Sequence, residues 1–268
     1  MSVTSLQSSA SALSALNTSM DVIAHNLANV NTAGFKASRA NFQDLLYQEL
    51  AQPGIQNANG DERPIGLYVG MGVKVAGTQL NFKQGAPVAS DNPLDMMIEG
   101  SGFFRVRVQD DQAPGGFAYT RAGQFEVNSD GEVVMANDQG RRLDVGFTIP
   151  PNTTISIDTN GRVTAQASQD AEPEELGQIE ISTFVNPAGL KQMGENLYAE
   201  TGASGPPING EPGTESFGMI RSKFYENSNV DPTTELINLI RTQRAFEMNS
   251  NTIRAADEAL KSIAQLRR

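Results

Sequence analysis

The side chains with the greatest potential for catalysis are the single histidine, His25, and the acidic residues Asp91, Asp95 and Glu99. Two of these carboxyl groups could act as the acid and base of a hydrolase. The chain has no cysteine and no second histidine, so a zinc site or a Ser-His triad lacks its usual partners. Clustered acids commonly lie on a surface loop, and we expect His25 to pack between helices. We therefore predict no catalytic residue and no enzymatic activity.

Two glycine pairs and two acidic turns match ligand-binding loops only in part. Gly70-Met71-Gly72 and Gly100-Ser101-Gly102 lack both the third glycine of a dinucleotide loop and the Gly-Lys-Ser/Thr of a phosphate loop. Glu126–Gly131 and Asp158–Gly161 carry acidic and amide residues at calcium-loop spacing, but neither has the closing glutamate at the twelfth position. We predict that all four are turns, and that the chain binds no metal and no cofactor.

The composition excludes several classes of partner. In 268 residues there are 20 Lys and Arg against 31 Asp and Glu, which gives a net charge of −11. An acidic chain without a basic cluster is not suited to nucleic acid or to an anionic membrane. No apolar run approaches the ~20 residues of a transmembrane helix, and the N-terminus lacks the pattern of a cleaved secretory signal. Composition alone favours a cytoplasmic protein without membrane insertion.

The N-terminal segment has the spacing of an amphipathic helix. Its apolar residues recur at alternating steps of three and four, which forms one seam along a helix. Gly34 can adopt the left-handed conformation that ends a helix, so we predict that the turn Asn31–Gly34 is its end. The seam residues are Leu6, Leu13, Leu16, Met20, Ile23, Leu27 and Val30.

The C-terminal segment predicts a second long helix. Asp231 is a suitable N-cap and Pro232 a suitable first residue, and no further Gly or Pro follows before Leu266. The helix would be roughly 50 Å long. Small and amide residues on the polar faces of both helices could pack closely against further helices. From spacing alone, an intramolecular pair and a polymer contact are equally consistent. The second seam is Leu236, Leu239, Phe246, Ile253 and Leu260.

The middle of the chain predicts mainly strands. Phe35–Leu50 forms an amphipathic element of helical or mixed spacing, and Gln52–Ile65 is broken by Pro and Gly, as in an extended loop or hairpin tip. From residue 66 to about 216, short alternating runs between turn residues predict an antiparallel domain of eight or more strands. Its hairpins turn at Ser129–Gly131 and Thr159–Gly161, and Phe217–Tyr225 is a last strand.

Several motifs resemble one known family. Asp21–Lys36 closely resembles the N-terminal signature of bacterial flagellar basal-body rod and hook proteins, and Phe42–Gly54 is most similar to the distal-rod members. Asn229–Glu247 is similar to the family's terminal helix. Gly100–Phe104 and Gly194–Tyr198 also resemble family motifs in the expected order. The resemblance covers essentially the whole chain.

The resemblance implies an α+β fold with three parts. The long N- and C-terminal helices would form a coiled-coil-like terminal domain from residues 1–34 and 231–268. Residues 35–68 and 217–230 would form a linker region with an extended loop or hairpin. Residues 69–216 would form the central antiparallel all-β domain.

The resemblance also implies a function. The chain would be a structural subunit that assembles helically into the distal rod and transmits torque from motor to hook. It would leave the cell uncleaved through the flagellar export apparatus and form a rod across the periplasm, which overrides the cytoplasmic expectation. Its partners would be copies of itself, the proximal rod proteins, the hook protein and the P- and L-ring bushings. The expected assembly contacts are Leu13, Leu16, Met20, Ile23, Leu27, Val30, Phe35, Leu236, Leu239, Phe246, Ile253 and Leu260.

Three alternatives remain at this point. The first is a proximal rod protein or hook-like axial protein of the same family. The second is a non-flagellar coiled-coil adhesin or binding module. The third is a hydrolase that uses Asp91 or Asp95.

Overall fold

The structure, a computed structural model, describes residues 3–55, 62–109, 113–167, 172–214 and 216–266. It is α+β, as the sequence predicts, with one helix near each end and strands between them. The helices are α1 (Val3–Ala28) and α2 (Pro232–Leu266). The strands are β1 (Ser38–Asp44), β2 (Tyr47–Ala51), β3 (Leu67–Gly70), β4 (Val73–Leu80), β5 (Pro87–Ala89), β6 (Met96–Glu99), β7 (Phe103–Arg107), β8 (Phe117–Thr120), β9 (Phe125–Val127), β10 (Val133–Met135), β11 (Thr154–Ile157), β12 (Arg162–Gln166), β13 (Glu174–Gln178), β14 (Ile181–Thr183), β15 (Lys191–Gly194), β16 (Leu197–Ala199), β17 (Ile208–Gly210), β18 (Met219–Ser222) and β19 (Phe224–Glu226).

The chain forms two compact units. The helical unit comprises Met1–Ala28, Ser38–Gln79 and Asp231–Arg268, and the β unit comprises Asn29–Ala37 and Leu80–Val230. The chain therefore passes from one unit to the other four times. In the described part of the chain, neither helix is long and apolar enough to cross a membrane.

The start of α2 follows from its capping residues. The carboxylate of Asp231 accepts a hydrogen bond from the Thr233 N–H at 3.0 Å and one from the Thr234 hydroxyl at 2.6 Å. The bond from Thr234 is the main cause that lowers the pKa of Asp231. One backbone N–H and one hydroxyl group in the first turn are thereby satisfied. The prediction of a helix from Pro232 to Leu266 is confirmed.

The predicted end of α1 is wrong. The helix ends at Ala28, six residues before Gly34, so Gly34 is not its cap. Gly34 does have a positive φ of 70°, but the reason is a close approach inside the β unit. A Cβ atom on Gly34 would lie 2.4 Å from the backbone nitrogen of Ala122, so a side chain has no room there.

The amphipathic element predicted for Phe35–Leu50 is two strands. Strand β2 pairs antiparallel with β3, from Tyr47 opposite Gly70 to Ala51 opposite Leu67, and β1 pairs with β4. The apolar spacing around Leu46 fits neither regular period, so partners distant in sequence decide the conformation. The predicted hairpin tip is confirmed on both of its sides, where the Gly54 N–H donates to the Arg63 carbonyl at 2.8 Å. Gly60, at its centre, lies outside the described residues.

The predicted antiparallel β region is confirmed. Its largest sheet has six strands in the order β15-β16-β8-β7-β14-β17. The hairpins β9–β10 and β11–β12 form as predicted, and Gly131 and Gly161 have φ values of 79° and 77° at their turns. The predicted last strand is instead two, β18 and β19, because Lys223 between them has a φ of 63°. Strand β18 pairs with β6, and β19 pairs with β5.

The β unit contains the apolar core. One cluster is built around Phe104, Phe125 and Ile181, none of which is exposed. A second, aromatic cluster includes Tyr119 and Phe184, whose rings meet edge to face with centroids 4.7 Å apart. Among the described residues, neither cluster includes a side chain of the helical unit.

Candidate assembly interface

Helices α1 and α2 pack against each other within the helical unit. The most buried positions carry small or amide side chains: Ala15 is 4% exposed, Asn26 1% and Ala256 1%. A cleft within this unit is lined by residues of both helices, including Val22 and Asn238. Small side chains let helix backbones approach closely, and this steric effect does not require a membrane.

The predicted apolar seams lie away from the buried positions Ala15, Asn26 and Ala256. At about 100° per residue, Asn26 lies about 20° from Ala15 around α1, but Leu13 and Met20 lie about 160° and 140° away. On α2, Asn238 is aligned with Ala256, whereas Phe246 lies about 80° from it. Leu13 and Met20 therefore lie on the side of α1 opposite Ala15, and Phe246 lies to one side of the Asn238–Ala256 face. The signal for the buried face is the set of small and amide residues on the polar faces of the helices, for which close packing against further helices is predicted.

The polar residues of α2 satisfy their hydrogen bonds within the helix. The hydroxyl of Thr242 donates to the Asn238 carbonyl at 2.8 Å, and the amide of Asn249 donates to the Ala245 carbonyl at 2.9 Å. These side chains need no water or partner chain for these donors. They can consequently face a second helix without an unsatisfied donor.

Asn26 attaches the start of β1 to α1. Its amide donates to the Ser38 carbonyl at 2.8 Å, and its Oδ1 accepts from the Ser38 N–H at 3.0 Å. Asn26 also hydrogen-bonds the Glu235 side chain, but burial is the larger influence and raises the pKa of Glu235. Asn26 is one of the small and amide residues predicted to pack against further helices, but its hydrogen bonds to Ser38 have no spacing signal in the sequence.

Gly72 lies against α1. The Ser11 hydroxyl donates to the Ser8 carbonyl at 2.8 Å, and its oxygen accepts from the Val73 N–H at 3.2 Å. A Cβ atom on Gly72 would lie 2.2 Å from the Ser11 hydroxyl oxygen, and its φ is 120°. Gly70-Met71-Gly72 is therefore a turn that packs on a helix, as the turn prediction requires.

The predicted assembly contacts differ in exposure. Ile23 is buried, and Phe35 is buried within the β unit. Leu236 and Leu260 are each 46% exposed. The remaining contacts are half-buried: Leu13, Leu16, Met20, Leu27, Val30, Leu239, Phe246 and Ile253. Most of the set therefore keeps apolar surface that the chain itself does not cover.

Exposed apolar side chains are concentrated in the helical unit. Leu46 is 84% exposed, Ile65 76% and Met248 64%. Exposed apolar residues that form a contiguous patch mark association surfaces. The helical-unit members are Phe42, Leu46, Tyr47, Leu50, Ile55, Ile65, Leu67, Tyr68, Leu236, Ile237, Ile240, Met248 and Leu260. In the described part of the β unit they are Val127, Val185, Ile208 and Met219.

The side chains considered for catalysis differ in exposure, and two of the predictions made for them are wrong. His25 is exposed on α1, so the prediction that it packs between helices is wrong. Asp91 and Glu99 are exposed, but Asp95 is only 8% exposed, so the three acids do not form one surface cluster. The described residues include no group of three potential metal ligands.

The acidic turns have a structural role. Asn128 Oδ1 accepts the N–H groups of Asp130 and Glu132, each at 2.9 Å. The oxygen that a calcium loop would turn toward its ion therefore closes the β9–β10 hairpin.

The helical unit has two long helices that pack against each other and leave their apolar seams partly uncovered, whereas the β unit has its own core. Together these features define a class of protein. They are typical of a structural protein that associates with other chains. Three family models match parts of the sequence in agreement with this class. They are the flagella basal body rod protein model (residues 6–36), the flagellar hook protein FlgE/F/G D1 domain (residues 97–165) and the flagellar basal body rod FlgEFG protein C-terminal model (residues 221–266).

Full-length relatives agree with the family models. The chain is 41% identical to the flagellar basal-body rod protein FlgG of Caulobacter vibrioides, over 98% of both chains. It is 41% identical to FlgG of Borreliella burgdorferi over 98% of both chains. It is 40% identical to FlgG of Buchnera aphidicola subsp. Schizaphis graminum, over 98% of this chain and all of the relative.

The chain belongs to the FlgG family of flagellar basal-body rod proteins. The resemblance found in the sequence and the prediction of a structural rod subunit are confirmed. The matching family models describe rod and hook proteins and indicate no catalytic family. The adhesin and hydrolase alternatives therefore receive no support from the comparisons.

Proposed function

We propose that copies of this chain assemble helically, through head-to-tail contacts that do not close into a ring, into the distal rod. The observation that carries the proposal is the distribution of apolar surface. Most of the exposed large apolar side chains lie in the helical unit, and the half-buried seam residues other than Val30, which follows the end of α1 and lies in the β unit, belong to its two helices. A surface of this kind is stable in water when further copies cover it.

The seams supply the contacts between subunits. Within one chain, α1 and α2 pack against each other, and Ala15, Asn26 and Ala256 are buried. Residues away from these buried positions, such as Leu13 and Phe246, then pack against helices of neighbouring copies in a coiled-coil-like arrangement. At about 25 cal/mol per Å², a few thousand Å² of apolar burial contributes tens of kcal/mol before the cost of ordering is subtracted. Repeated along a filament, these contacts stiffen a shaft that transmits torque from motor to hook.

The proposed architecture follows the family resemblance. Residues 1–34 and 231–268 form the inner tube, residues 69–216 form an outer layer, and residues 35–68 and 217–230 connect them. We place the rod across the periplasm, after export of the uncleaved chain through the flagellar apparatus. The partners are copies of this chain, the proximal rod proteins, the hook protein and the P- and L-ring bushings.

The hairpin β2–β3 extends this proposal. Its tip, Gln52–Pro64, would pack between neighbouring subunits and stiffen the filament. Exposed apolar residues on both sides of the tip, Leu50 and Ile65, support this role. Deletion of the tip is expected to give a bent or flexible rod in electron micrographs, and an unchanged straight rod would contradict it.

A second position along the rod is the competing candidate. The family models that match are shared by FlgE, FlgF and FlgG proteins, so they do not separate proximal from distal subunits. Isolated basal bodies carrying a tag beside Val185, which is 81% exposed in the β unit, would separate them. We expect the tag on the hook-proximal half of the rod in electron micrographs. A tag on the inner half would support a proximal rod protein.

Limited trypsin digestion of the dilute protein tests whether the helical unit depends on assembly. We expect early cleavage at Arg39, Arg241 and Arg244, which are exposed in the helical unit. The β unit is expected to remain as a resistant fragment. Lys36 is 1% exposed and should resist cleavage. If α1 and α2 resist trypsin as well as the β unit does, the two helices are stable in the single chain, as in a self-contained coiled-coil module.

A further inference from the structure

A buried ion network lies in the β unit where the chain connects to the helical unit. Glu226, at the end of β19, is unexposed and forms an ion pair with Lys36, which is 1% exposed. Its second oxygen is 3.4 Å from Arg121 Nη1. The Gly85 N–H donates to Glu226 Oε1 at 2.6 Å. One carboxylate therefore joins four separate parts of the chain.

Asn229 joins the same segments a second time. Its Oδ1 accepts from the Ala37 N–H at 2.7 Å. Its amide donates to the carbonyl groups of Asn81 and Lys83, at 2.7 and 3.0 Å. The Asn81 N–H in turn donates to the Ala37 carbonyl at 2.8 Å. We call Lys36, Arg121, Glu226 and Asn229 the junction network.

The junction network holds three of the four connections between the units. The chain crosses at 37/38, 79/80 and 230/231, and each crossing lies within a few residues of Ala37, Asn81 or Asn229. At the remaining crossing, 28/29, the Asn196 amide donates to the Ala33 carbonyl at 2.9 Å. The segments that leave the β unit are therefore fixed to it before they leave.

Arg121 connects this network to the β core. Its guanidinium donates to the carbonyl groups of Ile98 and Gly100 at the end of β6, at 3.1 and 2.6 Å. It also lies over the Phe103 ring, 5.4 Å from the centroid. Its Nε is the one buried side-chain polar atom without a hydrogen-bond partner among the described residues. The fold keeps Arg121 in place despite this unsatisfied donor, because its other N–H groups reach three acceptors.

A buried ion network is a costly way to add stability, because desolvation offsets most of its attraction. Its distinct property is geometric: charge-assisted hydrogen bonds fix directions as well as distances. Apolar contacts permit sliding, whereas a carboxylate held by Lys36, Arg121 and the Gly85 N–H does not. A Cβ atom on Gly85 would lie 2.0 Å from the Asn227 carbonyl oxygen, so the segments are also in direct steric contact.

We propose that the junction network is the torsional coupling of the subunit: it passes twisting load between the β unit and the segments that lead to the terminal helices. This role rests on the proposed function, since only a subunit of a rotating shaft experiences such load. It assigns the network a mechanical task, distinct from folding and from contacts between copies.

The test compares two carboxylates of the β unit that each pair with two cations. Glu226→Gln removes the charge of the junction network. Asp144→Asn makes the same change at a residue that pairs with Arg105 and Arg107 and belongs to none of the connecting segments. Each variant replaces the chain in a motile strain, and rotation of a bead attached to the hook is recorded at low and high viscous load.

We expect motors with Glu226→Gln to rotate normally at low load and to lose rotation at high load. Motors with Asp144→Asn should behave like the wild type at both loads. Equal performance of the two variants at high load would overturn the proposal. Junction variants that keep a resistant β unit but build no rod would also overturn it, because the network would then serve assembly.

A second variant covers the case in which Glu226→Gln does not fold. Asn229→Ala removes three side-chain hydrogen bonds of the junction network and leaves no charge unpaired. It should show the same loss at high load, and wild-type rotation at high load would overturn the proposal. Absence of the wild-type chain from isolated rods would instead contradict the proposed function, and this is seen before any load is applied.

Discussion

The two units of this chain differ in how far they bury their apolar side chains. The β unit buries its large apolar residues in two clusters, with Phe104 and Phe125 unexposed. In the described chain the helical unit contributes nothing to either cluster and exposes residues such as Leu46 and Met248. A unit with its own core can fold by itself. The helical unit instead carries the surface that association with other copies would cover.

The units also differ in charge. The β unit has 11 Lys and Arg against 21 Asp and Glu, whereas the helical unit has 9 against 10. Nearly all of the net charge of −11 therefore belongs to the unit that keeps its apolar residues inside. Like charge keeps β units soluble and apart, whereas a nearly neutral apolar surface favours close contact. Under the proposed function, stability and assembly depend on different parts of one chain.

The largest expected effect comes from a charge in a seam. Leu27→Asp or Phe246→Asp places a carboxylate on a half-buried surface that neighbouring helices would cover, where an unpaired charge is strongly unfavourable. We expect loss of filament growth and of motility, with the β unit still resistant to trypsin. Val185→Asp, at an exposed apolar residue of the β unit, is the control and should leave motility unchanged. Normal motility with either seam variant would remove these residues from the interface.

A substitution in the core of the β unit is expected to lower folding stability, whereas one on the exposed surface of the helical unit is expected to weaken filament growth. Phe104→Ala leaves a cavity in the β unit and should lower its free energy of unfolding by about 3–5 kcal/mol. Ile240→Ala, at a residue that is 49% exposed in the helical unit, should change the unfolding of the dilute protein by less than about 0.5 kcal/mol. It should nevertheless raise the concentration needed for filament growth. Urea unfolding measures the free energy of unfolding, and sedimentation measures the concentration needed for filament growth. A large loss of stability with Ile240→Ala would show that the helical unit also depends on this residue for folding, which contradicts the comparison.

Local signals explain which parts of this fold the sequence predicts. Asp231-Pro232 marks the start of α2, because an N-cap carboxylate and a proline at the first position act within one turn. The hairpin turns at Gly131 and Gly161 are marked equally well, since each needs a positive φ. Phe35–Leu50 carries no such signal: β2 exists because β3, some twenty residues later, pairs with it.

The candidate interface could be predicted only in part. Apolar spacing shows that Leu13 and Phe246 avoid water, but it does not show which chain covers them. The most buried positions of α1 and α2 include Ala15 and Ala256 instead, and small residues carry little hydrophobic signal. The junction network was missed because Lys36 and Glu226 are distant in sequence, and charged residues are normally assigned to the surface.

Alkaline pH should destabilise the β unit. Burial raises the pKa of Tyr119 to about 12, above the ordinary value near 10 of an unfolded chain. Between these values the unfolded state loses its proton first, so stability that is fully present below pH 10 declines as pH rises toward 12. The slope should be up to about 1.4 kcal/mol per pH unit for this tyrosine.

Tyr119→Phe should flatten that slope. Urea unfolding of the β unit at pH 10, 11 and 12 measures it, with tyrosinate absorbance as the check on ionisation. Burial also raises the pKa of Tyr198, so part of the slope should persist in the variant. Identical slopes for the variant and the wild type would show that the Tyr119 hydroxyl ionises as freely in the fold as in the unfolded chain.

The smallest expected effect is that of salt on filament growth, and its sign tests the charge comparison directly. Charges more than a Debye length apart are screened, and this length falls from about 10 Å at 0.1 M to about 3 Å at 1 M. If acidic β units repel one another while neutral helical units associate, added salt must lower the concentration needed for growth. Glu174→Lys with Glu175→Lys, at exposed positions of β13, reduces the repulsion and should weaken this response. If ion pairs of the helical unit held the filament together instead, salt would raise the concentration needed, because screening would then weaken the attraction.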